Sequence, residues 1–219
     1  MTRVNDTRAT KPVREGSPLK RAAIVAAARE LFVQQGVDRV SMDAVASSAK
    51  VSKATVYEYF GDKRRLFLAI LADVSQSLLT TVQLTLDKHL SDTALITTVP
   101  QLQQTLTEVA IDLGQSVVGS ADYSDGFALV AQERLRTPST EDDIATDAVV
   151  LALAERLGHF VDVGLIETDR PELAAEHFFA LTVLLAFDRH PGPANRDAQG
   201  IRQTMIDGVH AFVRAYSPR

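Results

Sequence analysis

Lys53, Ala54, Thr55, Tyr57 and Tyr59 fall within one short stretch and offer a cation, a methyl and three hydroxyls. These are groups suited to phosphate oxygens and to the base edges of a major groove. Val56 and Phe60, four residues apart, anchor the stretch from beneath, which leaves the other face outward. Ser52 precedes it as an N-cap. A second short helix lies upstream: Ser41 caps it, and Met42, Val45, Ala46 and Ala49 recur at helical spacing as a buried stripe. Val51 drops into the core between the two. Two short helices joined by a tight turn, the second with a polar outward face, make a unit fitted to a nucleic-acid duplex.

Gly61-Asp62 ends the second helix, and Asp62 can cap the next, which begins Lys63-Arg64-Arg65-Leu66-Phe67. Cations in a first turn have the wrong sign for the helix dipole. A DNA phosphate would offset this at Lys63, whereas Arg64 and Arg65 read as a solvated charge cluster.

The run V-S-K-A-T-V-Y-E-Y-F-G-D-K-R-R-L-F at 51 to 67 resembles the signature of TetR-type bacterial transcription regulators. The resemblance extends back through residues 20 to 35, KRAAIVAAARELFVQQ, where Ala23, Ile24, Ala27, Ala28, Leu31 and Phe32 form an apolar face and Gly36 closes the helix. It covers about the first third of the chain. It implies that Ser41, Thr55, Tyr57, Tyr59 and Lys63 hold phosphates, while Lys53, Ala54 and Tyr57 approach base edges. Two residues depart from the pattern. Lys50 stands in the turn where many members of the family have Gly; at positive φ it would cost about 1 kcal/mol relative to Gly. Glu58 puts an acid on the reading helix, where it either accepts from a cytosine amino group or turns aside into water.

The charge distribution agrees with this reading. Of 219 residues, the first 70 hold thirteen Lys or Arg against seven Asp or Glu, and the rest hold ten against twenty-one. A basic head on an acidic body presents its reading face to DNA while the body is repelled. The net charge of -5 therefore does not argue against DNA. Residues 1–18 read as a basic arm, with Arg3, Arg8, Lys11 and Arg14 among Pro12, Gly16 and Pro18. Either it follows DNA or it is a solvated tail. It has no apolar h-region, so it does not read as a secretory signal, and the absence of cysteine suits a reducing cytoplasm.

The expected fold is all-α: residues 19–66 form a three-helix helix-turn-helix head and residues 67–219 a larger helical body. With 46% hydrophobic residues and a mean hydropathy of +0.01, the chain can bury such a core. Helices are expected near 63–88, 100–118, 126–136, 141–163, 171–190 and 197–216, with a loop at Gly119, Asp122 and Ser124. The segment from Leu173 to Phe187 is apolar on nearly every side, and Gly208 and Ala211 allow close helix approach near the C-terminus. Burying both of these helices calls for a partner. A second copy would supply it through Phe178, Phe179, Val183, Phe187, Met205, Val209 and Phe212.

Residues 164 to 181 also resemble the AefR-like branch of the family. That resemblance implies an apolar cavity for a small-molecule effector. Inward apolar groups with polar neighbours give Leu106, Val109, Leu113, Phe127, Val130, Arg134, Arg156 and Phe160 as lining candidates, each of which also fits plain core. An inward arginine needs an anion, and solvent exposure would remove it from consideration.

The expected function is that of a ligand-responsive repressor which binds a pseudo-palindromic operator as a homodimer in the cytoplasm. Its partners would be double-stranded DNA, itself and an effector, with no membrane. The alternative is an architectural DNA-binding protein of the same fold without an effector. An enzyme has no support, because the chain has no glycine phosphate loop, no H-E-x-x-H and no cysteine, and its five histidines are scattered. No cofactor or metal is expected.

Overall fold

The computed structural model describes residues 17–91, 96–134, 144–190 and 197–218, with the side chains of 121, 122, 130–134 and 144–147 outside that description. Arg3, Arg8, Lys11 and Arg14 of the basic arm therefore lie outside the described residues. Among those described, every regular element is helical. The chain divides into a head ending at Leu66 and a body beginning at Phe67.

The head holds α1 (Pro18–Gln35), α2 (Met42–Ser48) and α3 (Lys53–Phe60), followed by the first turn of α4 (Lys63–His89). Pro18 starts α1 at a position whose N–H would have no helical partner in any case. Ile24, Ala27, Ala28 and Phe32 of α1 are buried with Val45 and Ala46 of α2 and Val56 and Phe60 of α3. Both expected serine caps form: Ala44 N donates to Ser41 Oγ at 3.1 Å and Thr55 N to Ser52 Oγ at 3.1 Å.

Lys50, in the turn between α2 and α3, has φ 55 and is the one non-glycine residue at positive φ among those described. Lys50 N and Val51 N donate to the carbonyls of Ser47 and Ala46 and close the end of α2. The turn thus forms with a β-carbon where a left-handed residue is needed. Lys50→Gly should raise stability by about 1 kcal/mol. Chemical denaturation checks this, and an unchanged or lower midpoint would count against it.

The body packs α5 (Val99–Leu113) against α10 (Ala198–Tyr216) and α7 (Ile144–Asp162) against α8 (Pro171–Phe179). Leu102, Leu106, Val109, Ala110 and Leu113 bury one stripe of α5, and Ile201, Met205, Val209, Phe212 and Val213 bury one stripe of α10. Each is an unbroken 3.6-residue pattern. Two helices widen into single π turns, Gly114–Val118 after α5 and Ala180–Leu184 between α8 and α9 (Leu185–Arg189). Both pack on α10. Gly208 of α10 meets the second turn so closely that a β-carbon there would lie 2.2 Å from Leu181 O.

The sequence reading placed a loop before residue 126, but α6 runs Ala121–Arg134, so Asp122 and Ser124 are helical. Ser124 N bonds Ser120 O, and an acid in the first turn favours a helix start. In α6, Tyr123 is buried, and its hydroxyl bonds both Ser77 Oγ and Thr81 Oγ1 of α4 at 2.9 Å. Gly126, one turn on, brings the two helices together: a β-carbon there would stand 2.5 Å from Val74 Cγ1.

On length and composition α4 could cross a membrane, with 27 residues and a mean hydropathy of 1.4 in its best window. It nevertheless carries Ser77 and Thr81 on the side bonded to Tyr123, and it ends in Lys88 and His89, which suit a helix C-terminus. Both end residues reach Asp112 of α5: Lys88 Nζ lies 2.6 Å and His89 Nε2 2.8 Å from Asp112 Oδ2. The hydrogen bond from Lys88, and then the one from His89, lowers the Asp112 pKa. A carboxylate depressed in the folded state adds stability above its unfolded pKa, and that contribution disappears as pH falls through the folded value. Asp112→Asn should therefore flatten the melting temperature against pH below about pH 4. Parallel acid-side curves for the two proteins would contradict this.

Candidate nucleic-acid interface

The outward side of α3 starts at its first residue. Lys53 is exposed, and its Nζ lies 2.8 Å from Oδ1 and 3.0 Å from Oδ2 of Asp43 on α2, above the Tyr57 ring at 5.9 Å. The Asp43 carboxylate raises the Lys53 pKa, first through the hydrogen bond and then through its charge. Ala54 is exposed beside it, and Tyr57 is 43% exposed, unusually so for a large aromatic residue. Glu58 is also exposed. Lys53, Ala54 and Tyr57 thus share a surface left open by the described residues.

The expected phosphate-holding residues divide into two kinds. Ser41 and Thr55 flank the surface with their hydroxyl oxygens already used locally. Ser41 Oγ accepts from Ala44 N, and Thr55 Oγ1 lies 2.8 Å from Ser52 Oγ. Ser41 keeps its hydroxyl proton for an incoming acceptor. Tyr59 and Lys63 reach inward to main-chain carbonyls instead. Tyr59 Oη donates to Ser17 O at 3.2 Å, and Lys63 Nζ donates to Asp38 O at 2.9 Å and Val40 O at 3.0 Å. These carbonyls offset the charge at the start of α4, a task the sequence reading gave to an external phosphate. One of the three ammonium donors of Lys63 remains for such a phosphate. Asp62 caps α4 through Arg65 N at 2.8 Å, and Arg65 Nε lies 3.6 Å from its carboxylate.

Asp43 is the residue the sequence reading missed. Nothing in its local pattern singles it out, because its partner lies ten residues away across the turn.

The other candidate sets are corrected by burial. Phe178, Phe179, Val183, Met205, Val209 and Phe212 are all buried within the single chain, with Phe178 and Phe212 edge to face at 5.5 Å. They belong to the core of the single chain and leave little side-chain surface outside it. Phe187 is half-buried, with its ring 4.4 Å from that of Phe127. Leu106, Val109 and Leu113 are at most 1% exposed and Phe160 is buried at 4%. All four belong to the buried apolar core of the body. Arg156 points to the surface, where its Nη2 is 2.7 Å from Asp87 Oδ1 beside an open groove of about 360 Å³ between α4 and α7. The Val130 and Arg134 side chains lie outside the described residues.

Residues 24–70, the head from within α1 to the start of α4, match the family model for bacterial regulatory proteins of the tetR family. The transcriptional activator FasR of Mycolicibacterium smegmatis is 27% identical over 171 residues, 75% of this chain and 69% of its own length. A tetR-family regulator from Mesorhizobium loti has the same fold, with a TM-score of 0.70 at 23% identity over 91% of this chain and 97% of that one. The flavonoid-responsive regulator FrrA aligns with a TM-score of 0.63 at 26% identity over 93% of this chain and all of its own. These relatives are transcription regulators, not enzymes.

Proposed function

We propose, from the premise that the head is a DNA-binding helix-turn-helix of the tetR kind, that the chain is a ligand-responsive transcriptional repressor which binds a pseudo-palindromic operator as a homodimer in the cytoplasm. The observation that carries this is the open surface of α3, where a cation, a methyl and a phenol stand exposed on a helix capped and anchored from behind. Each subunit places Lys53 to Tyr59 in one major groove, and the half-sites lie about 34 Å apart or a multiple of that. The match to FasR supports a second outcome at the same operator, activation in place of repression.

The homodimer then rests on what the body leaves outside. Ala180 and Leu184 on the second π turn and Ala211 on α10 are exposed, small or apolar, and suited to close helix approach. The AefR-like assignment of the body rests on residues 164 to 181 alone.

An effector is supported by apolar side chains the core leaves half-buried: Val74, Leu78 and Leu79 on α4, Phe127 on α6 and Val150 on α7. The Tyr123 hydroxyl adds a polar group on the same seam. The name of FrrA makes planar aromatic compounds the first class to try. An effector there would act on α4, the helix that begins in the head. The test is duplex affinity, by fluorescence anisotropy, with and without each flavonoid that shifts the melting temperature of the chain. The expected change is about 5- to 150-fold. Equal affinity with and without every such compound would favour the architectural alternative.

A further inference from the structure

We infer that Asp43 is a specificity-determining residue: its carboxylate holds the Lys53 ammonium from one side and directs the donors it leaves free to a base edge instead of the phosphate backbone. This rests on the duplex reading proposed above.

A lysine at the tip of a reading helix is a flexible point charge. Left to itself it goes to the nearest phosphate, a contact blind to sequence. Here it is held from one side. The Asp43 oxygens lie 2.8 and 3.0 Å from Nζ, and the Tyr57 ring faces the same ammonium at 5.9 Å. Asp43 is itself anchored in the first turn of α2, the end of a helix where a carboxylate is favoured.

Two consequences follow from the charge. A paired lysine releases fewer counterions from a duplex, so its share of sequence-independent binding falls. The carboxylate, 62% exposed, also repels phosphate oxygens that approach the same spot. A guanine edge is different, because N7 and O6 are uncharged acceptors and the donors turned away from Asp43 can reach them without breaking the pair. Exposed pairs of this kind are weak, so the carboxylate biases the choice of partner and does not lock it.

The test uses the full-length chain and three variants, Asp43→Asn, Lys53→Gln and the double variant. Each selects from a pool of duplexes of about 30 base pairs with a randomised centre, and its affinity for the unselected pool is then titrated with salt. The wild-type chain should enrich guanine at one position of each half-site. Asp43→Asn should lose that preference alone, bind the unselected pool about 3- to 10-fold tighter, and steepen the salt slope by about 0.9 per head. Lys53→Gln should lose the same position by another route, and adding Asp43→Asn to it should change nothing further. If Asp43→Asn enriches the same motif with an unchanged slope, or acts equally without Lys53, the inference is overturned. A wild-type chain that enriches no sequence at all would overturn the regulator reading along with it.

Discussion

Gly208→Ala lowers the stability of the body by about 2 to 3 kcal/mol, the cost of overpacking a tight contact. Helix propensity alone predicts the opposite, since alanine is favoured over glycine in a helix interior by about 1 kcal/mol. Sterics reverse the sign here. The added β-carbon would lie 2.2 Å from Leu181 O, 2.8 Å from Leu181 C and 2.9 Å from Thr182 Cγ2. Two of these are main-chain atoms of a π turn and cannot swing aside. Thr182 is fully buried, with its hydroxyl bonded to Phe178 O at 2.6 Å, which leaves it no free rotamer either. Gly158 in α7 is the control, because a β-carbon there meets nothing within 4 Å. Gly158→Ala should follow propensity and gain stability. Urea denaturation of both variants separates the effects, and a stabilised Gly208→Ala would show that α10 and the π turn are not in close contact.

Tyr57→Ala reduces duplex affinity about 30-fold or more, the loss of about 2 kcal/mol expected when an aromatic anchor is removed. Its folding should be nearly unaffected, because the side chain is 43% exposed and stands away from the Val56 and Phe60 anchors. Tyr59→Phe gives a useful contrast. That hydroxyl is given to Ser17 O and the residue is half-buried, so its removal should loosen the start of α1 more than it weakens DNA contact. Anisotropy titrations alongside thermal melts distinguish the two tyrosines. Undiminished binding by a folded Tyr57→Ala would remove α3 from the interface.

Features of the head that depend on neighbours in sequence were legible from the sequence. Ser41 and Ser52 cap because a serine oxygen reaches an amide three residues on, and Lys50 takes positive φ where the turn requires it. The partners of Tyr59 and Lys63 were not legible, because they are main-chain carbonyls 42 and 25 residues away and carbonyls carry no residue identity. In the body, it was legible that apolar groups of α5 and α10 need covering. What periodicity cannot say is which helix covers a stripe. Phe178, Met205 and Phe212 are therefore covered within the chain, where the sequence reading gave them to a second copy. The same limit turned Leu106 and Val109 into cavity candidates when α10 already fills the space beside them. The π turns leave no periodic trace, yet they set how closely α10 approaches.

On the proposed reading, α3 and the cations beside it meet a duplex through its phosphates and base edges. The direct measurement is the affinity of the full-length chain for a double-stranded oligonucleotide as salt is raised from low ionic strength. Each neutralised phosphate contributes about −0.9 to the slope of log K against log salt, so two heads with at least two phosphate-contacting cations each should give a slope of about −3.6 or steeper. A flat response, or no binding to any duplex at the lowest salt, would contradict the account.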